Sequence, residues 1–281
     1  MKEKMHCFYR ISDNSYPKQK IPGATKEVCY KNFSNVFNGA QQTIIADRCI
    51  ETLKFLPDCL KTDLGNAGSF HKALDLATEC RDEEVIYFCE DDYLHQPNAA
   101  QVLREGMLHA DYVTLYDHPD KYTSLYDMGE ISKVVRTASS HWRYTVSTCM
   151  TFGSKVSILK EDMDIFKKWT GTVDKIGEHP LDHDIFCELK DRGRKLAVCI
   201  PGVACHTDLT FSGLVKNLMI EPWAVEMMLT ELNTQLEETG KRIVSEEQEQ
   251  FFDLKKAIER QNTGFNRLIR FDALLKGCLK G

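Results

Sequence analysis

Three consecutive carboxylates, Glu90, Asp91 and Asp92, directly follow the apolar run Val85-Ile86-Tyr87-Phe88-Cys89. Adjacent carboxylates repel one another, so a chain that sets them at the end of a buried strand must offset that repulsion with solvent, protein partners or a cation. In open α/β sheets ligands gather beyond the carboxyl ends of the strands, where this triplet would fall. Hard oxygen donors there suit Mg²⁺ or Mn²⁺, with water and phosphate completing the coordination. A cation shared with a diphosphate neutralises that group as it leaves. The plainer alternative is a solvated acidic turn.

Further groups lie downstream. Asp182 opens the segment Leu181 to Gly193, which carries Ile185 and Leu189 on one face and ends in glycine. An aspartate just after Pro180 can take a proton, or it can satisfy free N–H groups at a helix start. His206 follows the run Leu196 to Ile200 and a Pro-Gly turn; a neutral imidazole can join oxygens around Mn²⁺, or it can simply be hydrogen-bonded. Asp47 closes the run Thr43 to Ala46 and can equally cap the next segment. The turn Gly65-Asn66-Ala67-Gly68 precedes a helix expected to begin near Ser69. Glycine there permits close backbone approach, and the helix start directs N–H groups at an anion.

Phe88-Cys89-Glu90-Asp91-Asp92 resembles the strand and DxD motif of GT-A glycosyltransferases, with Glu in place of the first Asp. Leu181 to Gly193 resembles the acidic helix of inverting, family-2-like members, with Leu181 where these often carry Glu. The resemblance covers roughly residues 5 to 210. It implies transfer of a sugar from a UDP-sugar to a hydroxyl of an oligosaccharide acceptor, with Mn²⁺ or Mg²⁺ as cofactor. It also implies Asp92 and His206 as metal ligands, and Glu90 and Asp91 as contacts to ribose or donor sugar. Asp47 would accept from uracil, and the loop carrying Gly65, Gly68 and His71 would face base and phosphates. Asp182 is the implied base, or Asp184 given the departure at Leu181. An inverting transfer needs one such carboxylate to take the acceptor's proton as its oxygen attacks the anomeric carbon.

The chain is also similar in length and pattern to glycosyltransferases that large algal DNA viruses encode for capsid glycans, a β-xylosyltransferase type among them. That narrower resemblance implies UDP-xylose, a fucose-containing acceptor and action in the host cytoplasm. On the acceptor side, His141, Trp142 and Arg143, with His118, Tyr122 and Trp169, are side chains able to stack on and hydrogen-bond sugar rings. Ordinary core or loop roles are open to each of them.

The elements that must hold these groups alternate. A strand at His6 to Ile11 is followed by helical spacing at Cys29, Phe33, Val36 and Phe37, then a strand at Thr43 to Ala46. Phe70, Ala73, Leu74 and Ala77 share a helix face ahead of the strand at Val85 to Cys89. Strands are expected at Tyr112 to Leu115, Lys133 to Arg136, Thr145 to Phe152 and Leu196 to Ile200. This order defines an α/β fold of the GT-A, Rossmann-like kind: a mixed, largely parallel sheet flanked by helices. Val225, Met228, Leu232 and Leu236 form a helical stripe, and Ser245 to Gln248 resembles a capping box. The expected division is a transferase domain over residues 1–213 and a C-terminal helical appendage over 214–281. Met227 and Met228 fit either core packing or a dimer interface, so the oligomeric state stays open.

A chain of 281 residues with a formal charge of −6 has no basic stripe for a phosphate backbone, which argues against nucleic acid as a partner. Neither a membrane-spanning run nor a signal peptide is recognisable, so the sequence reads as cytoplasmic. The eleven cysteines are scattered without a CxxC pair and read as reduced, mostly buried thiols. Two rival functions remain: a metal-dependent nucleotidyltransferase or phosphohydrolase, although no P-loop is present, and a glycan-binding protein on a transferase scaffold.

Overall fold

The computed structural model describes residues 4–14, 20–118, 132–170, 180–208, 222–239 and Lys256. The chain divides into two compact units, Met1–Pro17 with Thr25–His206, and Lys18–Ala24 with Thr207–Gly281. The expected boundary at 213/214, Tyr122 and the capping box at 245–248 lie outside the described residues.

The first unit is built on a sheet of nine strands. These are β1 (Met5–Ser12), β2 (Gln41–Asp47), β3 (Leu60–Thr62), β4 (Val85–Glu90), β6 (Tyr112–Thr114), β7 (Val134–Arg136), β8 (His141–Thr145), β9 (Phe152–Lys155) and β10 (Leu196–Ile200). Their spatial order is β3-β2-β1-β4-β9-β6-β10-β8-β7. Only β8 and β9 run against the rest, so the sheet is mixed and largely parallel. From β1 the chain winds outward through β2 to β3 and then returns to the other side of β1 with β4. The crevice beyond the carboxyl ends of β1 and β4 is therefore a topological switch point, where ligands of open α/β sheets bind.

Alternation along the strands sorts the core into two faces. Phe8, Ile86, Phe88 and Phe152 pack with α2 (Gly65–Thr78), α4 (Val156–Trp169) and α5 (Asp182–Asp191) through Phe70, Leu74, Leu159, Phe166, Ile185 and Phe186. On the other face Tyr9 meets Phe33 of α1 (Lys26–Val36), with ring centroids 4.6 Å apart. The helix α3 (Ala99–Gly106) packs on this second face so closely that a Cβ on Gly106 would lie 2.6 Å from the Trp142 ring. Thr25 caps α1 by accepting from the Val28 N–H at 3.2 Å.

The structure corrects one expected strand. Thr145 to Phe152 is not continuous: β8 ends at Thr145, a turn follows, and β9 starts at Phe152. The backbone N–H groups of Thr148, Cys149 and Met150 all point at one carboxylate, which removes them from any ladder. Helices α3 and α4 and the two-stranded sheet of β5 (Tyr93–His95) with β11 (Ala204–His206) were not expected.

In the second unit α6 (Pro222–Thr239) stands where the helical stripe was expected, with Val225 and Met228 of that stripe buried; the side chains of Leu232 and Leu236 lie outside those described. Met228 is buried there, and its Cε lies 3.1 Å from where a Cβ on Gly23 would stand. That is core packing.

Candidate active site

Parallel register brings the chemistry to one edge of the sheet. Arg10 of β1 pairs with Glu90 of β4, and Ser12 pairs with Asp47 of β2, so all three strands end together at the switch point. Arg10 is a buried cation in a strand of mostly apolar residues. Its Nη1 donates to the Asn66 carbonyl at 2.8 Å, Asn66 Oδ1 at 3.0 Å and Ser69 Oγ at 3.1 Å, while Nη2 pairs with Glu90. The guanidinium also lies 5.1 Å from the Phe70 ring centroid. It thus binds β4 to the first turn of α2.

The other two acids have different partners. Asp91 Oδ2 accepts from the Ser12 N–H at 3.1 Å and pairs with Lys26 Nζ at 2.8 Å; Lys26 also donates to the Ser12 carbonyl. Asp92 Oδ2 lies 3.2 Å from His206 Nε2, and both side chains are 8% exposed. Their approach is fixed by β5 and β11, which pair Tyr93 directly with His206. Two ligands at right angles around a small divalent cation stand about 3 Å apart, so this oxygen and nitrogen fit a shared Mg²⁺ or Mn²⁺. Each acid of the triplet thus has its own neighbour, Arg10, Lys26 or His206.

Asp47 is buried, and its carboxylate accepts from Thr62 Oγ1 at 2.9 Å, the Leu64 N–H at 2.7 Å and the Gly65 N–H at 3.1 Å. It caps α2, the second of the uses open to it in the sequence. Helix α2 begins at Gly65 rather than near Ser69, and Gly65 has φ +71°, a left-handed conformation that favours glycine. Gly68 is required by packing, since an added Cβ would stand 2.7 Å from Leu64 Cβ. His71 bonds Thr170, and burial lowers its pKa, helped by Lys167.

Asp182 begins α5 as expected, but its carboxylate is heavily engaged. Oδ2 accepts from Ser147 Oγ and the Thr148 N–H at 2.8 Å each and from the Cys149 N–H at 3.2 Å. Oδ1 accepts from the Met150 N–H at 3.2 Å and from the Thr148 hydroxyl. These five donors meet a group with about four lone-pair sites. They hold Cys149 and Met150 at φ 48° and 58°, a conformation that costs non-glycine residues about 1 kcal/mol or more each. The Cys149 carbonyl in turn accepts from Tyr93 Oη at 3.1 Å, and the Tyr93 ring stands edge-on to His206 with centroids 5.0 Å apart. A continuous path of contacts therefore joins Asp182 to Asp92. Asp184 is exposed.

Of the acceptor-side residues, the expectation for Trp142 is overturned. Strand alternation turns it away from His141 and Arg143 into the core, where it is fully buried against Gly106 and donates to Thr137 Oγ1 at 3.1 Å. It has no face to offer a sugar. Arg143 pairs with Asp117 at 2.8 Å, His118 is buried beside Tyr116, and His141 is exposed.

Arg10, Lys26, Tyr93 and the 147–150 turn escaped the sequence reading, and Asn66 entered it only as a member of its turn. Arg10 carried a signal, as a lone charge inside an apolar run. Lys26 and the turn carried none, because their roles arise from pairings across the fold.

No family model matches the chain, and no curated protein does. Among solved structures it is similar to the inositol-1-phosphate CTP transferase from T. maritima, at 14% identity over 79% of this chain and 94% of that one, TM-score 0.42. The galactosyltransferase LgtC, in complex with donor and acceptor sugar analogues, is 10% identical over 69% of this chain and 72% of that one, TM-score 0.40. The bifunctional IspDF from Campylobacter jejuni is 16% identical over 70% of this chain, TM-score 0.40, and the chain spans about half, 49%, of its length. Among the described residues, no helix is long and apolar enough to cross a membrane.

Proposed function

We propose that the chain is a metal-dependent transferase that takes a sugar from a UDP-sugar and passes it to a hydroxyl of an oligosaccharide. The observation that carries this reading is the buried Asp92–His206 pair, 3.2 Å apart at the switch point of the sheet. Asp92 and His206 are the residues proposed to hold Mn²⁺ or Mg²⁺, which when bound supplies charge neutralisation for the departing diphosphate. Glu90 and Asp91, which pair with Arg10 and Lys26, are the residues proposed to contact ribose and donor sugar. The α2 start, shaped by Asp47, Gly65 and Gly68, would face the base and phosphates, with His71 further along the helix. Asp47 acts there through the loop it caps.

Asp182 is assigned a positioning role, because a base must direct a lone pair at the acceptor hydroxyl and its own are engaged. Asp184, an exposed acid and the alternative left open by the sequence, is proposed as the base. UDP-xylose as donor, a fucose-bearing acceptor, the viral setting, cytoplasmic action and residues 1–213 as the catalytic domain rest on the sequence alone.

The test is calorimetric titration with UDP in Mn²⁺ and then in EDTA, followed by a product assay across UDP-sugars. Metal-dependent UDP binding, lost in Asp92→Asn and His206→Ala, with UDP released from one preferred donor, supports the reading. Release of pyrophosphate identifies a nucleotidyltransferase. Glycan binding without UDP binding identifies a lectin-like scaffold.

A further inference from the structure

The opposite edge of the same sheet carries a second set of donors. His6 is the second residue of β1, Cys80 follows the end of α2 by two residues, and Glu84 immediately precedes β4. A nitrogen, a sulfur and an oxygen from these three side chains all lie within 4.8 Å of one another. His6 is six residues from Ser12 along an extended strand, which separates this cluster from the switch point by roughly 20 Å.

The arrangement has the marks of a built site. His6 Nδ1 lies 3.3 Å from Cys80 Sγ, and its other nitrogen, Nε2, is held 2.7 Å from Thr43 Oγ1. A ring fixed through one nitrogen and presenting the other is the usual posture of a ligating histidine. Sulfur and nitrogen bound to zinc at about 2.3 and 2.0–2.1 Å in a tetrahedron stand about 3.5 Å apart, close to the separation seen. Arg81 approaches Oε1 of Glu84 with both Nε and Nη2, at 2.8 and 2.7 Å, so these bonds use one of the two oxygens.

We propose that His6, Cys80 and Glu84 form a site for a borderline-soft divalent cation of the zinc type, with water in the fourth tetrahedral position. Cys80 binds as a thiolate and releases its proton to solvent. The mixed S, N and O donors distinguish this site from Asp92–His206, whose donors suit harder cations. Bound there, the cation would tie the start of β1 to the turn that joins α2 to β4.

Co²⁺ serves as a spectroscopic probe for zinc. The EDTA-stripped full chain is expected to take up one Co²⁺ with a thiolate-to-cobalt charge-transfer band in the near ultraviolet, and Zn²⁺ should displace it. The band should vanish in Cys80→Ser, weaken in Glu84→Gln, and persist in Asp92→Asn. Thr43→Val, which removes only the support for the His6 ring, should lower Co²⁺ affinity about tenfold or more. Zn²⁺ should raise the Tm of wild type and not of Cys80→Ser, with circular dichroism verifying that the variant is folded. A band that survives Cys80→Ser, or no band in wild type, overturns the proposal, and neither result bears on the transferase reading.

Discussion

Arg10 enters the site from within a buried strand, so its guanidinium competes with little water for Glu90, Asn66 and Ser69. Arg10→Ala leaves these acceptors without their donor and should cost about 1–3 kcal/mol, read as a lower urea midpoint. UDP binding should weaken with it. Asp182→Asn turns one acceptor oxygen into an amide that faces donors; stability should fall by about 3 kcal/mol, with transfer and UDP binding falling together. Wild-type stability with transfer alone abolished would return Asp182 to the role of base. His95 responds to pH. Burial lowers its pKa to about 3, and its Nε2 lies 2.8 Å from Tyr87 Oη. The unfolded chain takes up this proton near pH 6.5 and the folded chain does not. Stability is therefore full above pH 6.5 and declines as the pH falls toward 3, and His95→Gln should flatten that acid arm in thermal melts taken across the range.

Elements differ in how openly the sequence displays them. The strands β1, β2, β4 and β10 and the helices α1, α2 and α5 follow the apolar spacings from which they were expected, because each buries a regular face. Helix α3 carries such a face in Ala99, Val102, Leu103 and Gly106, but over only 8 residues. Helix α4 interrupts its stripe with buried Asp162, which is satisfied by Tyr112 at 2.8 Å and Arg194 at 2.7 Å from distant parts of the chain. The turn at 147–150 reads as strand because Val146 and Thr148 suit a ladder, and only Asp182, more than thirty residues on, turns the chain aside. Where α3 meets the sheet the fit is close. Gly106→Ala must displace Trp142 or Val113, whose Cγ1 would lie 2.9 Å from the new methyl, and should cost about 1–3 kcal/mol in a denaturant titration.

At the scale of the molecule, the sheet order explains why a short acidic motif could be read at all. Reversal of the strand order at β1 and β4 gathers groups from residues 10, 12, 26 and 90–92 at one crevice, and the β5–β11 pair brings His206 to it from more than a hundred residues away. The acids were legible because they are contiguous and end an apolar run. Their partners were not, since Lys26, Tyr93 and Asn66 resemble ordinary surface or core residues until the fold unites them. The ten described cysteines are unbridged, as their scatter suggested, so a reductant such as dithiothreitol should leave the melting temperature within about one degree of its value without it.

The tether at Asp182 has a consequence for anyone who surveys this chain by mutation. One carboxylate organises four consecutive residues and, through Tyr93, leans on the ring of His206. Replacing it would silence the protein as completely as removing a proton acceptor. Activity alone cannot tell a keystone from a reagent, and at this position the two are separated by how the arch stands once the stone is gone.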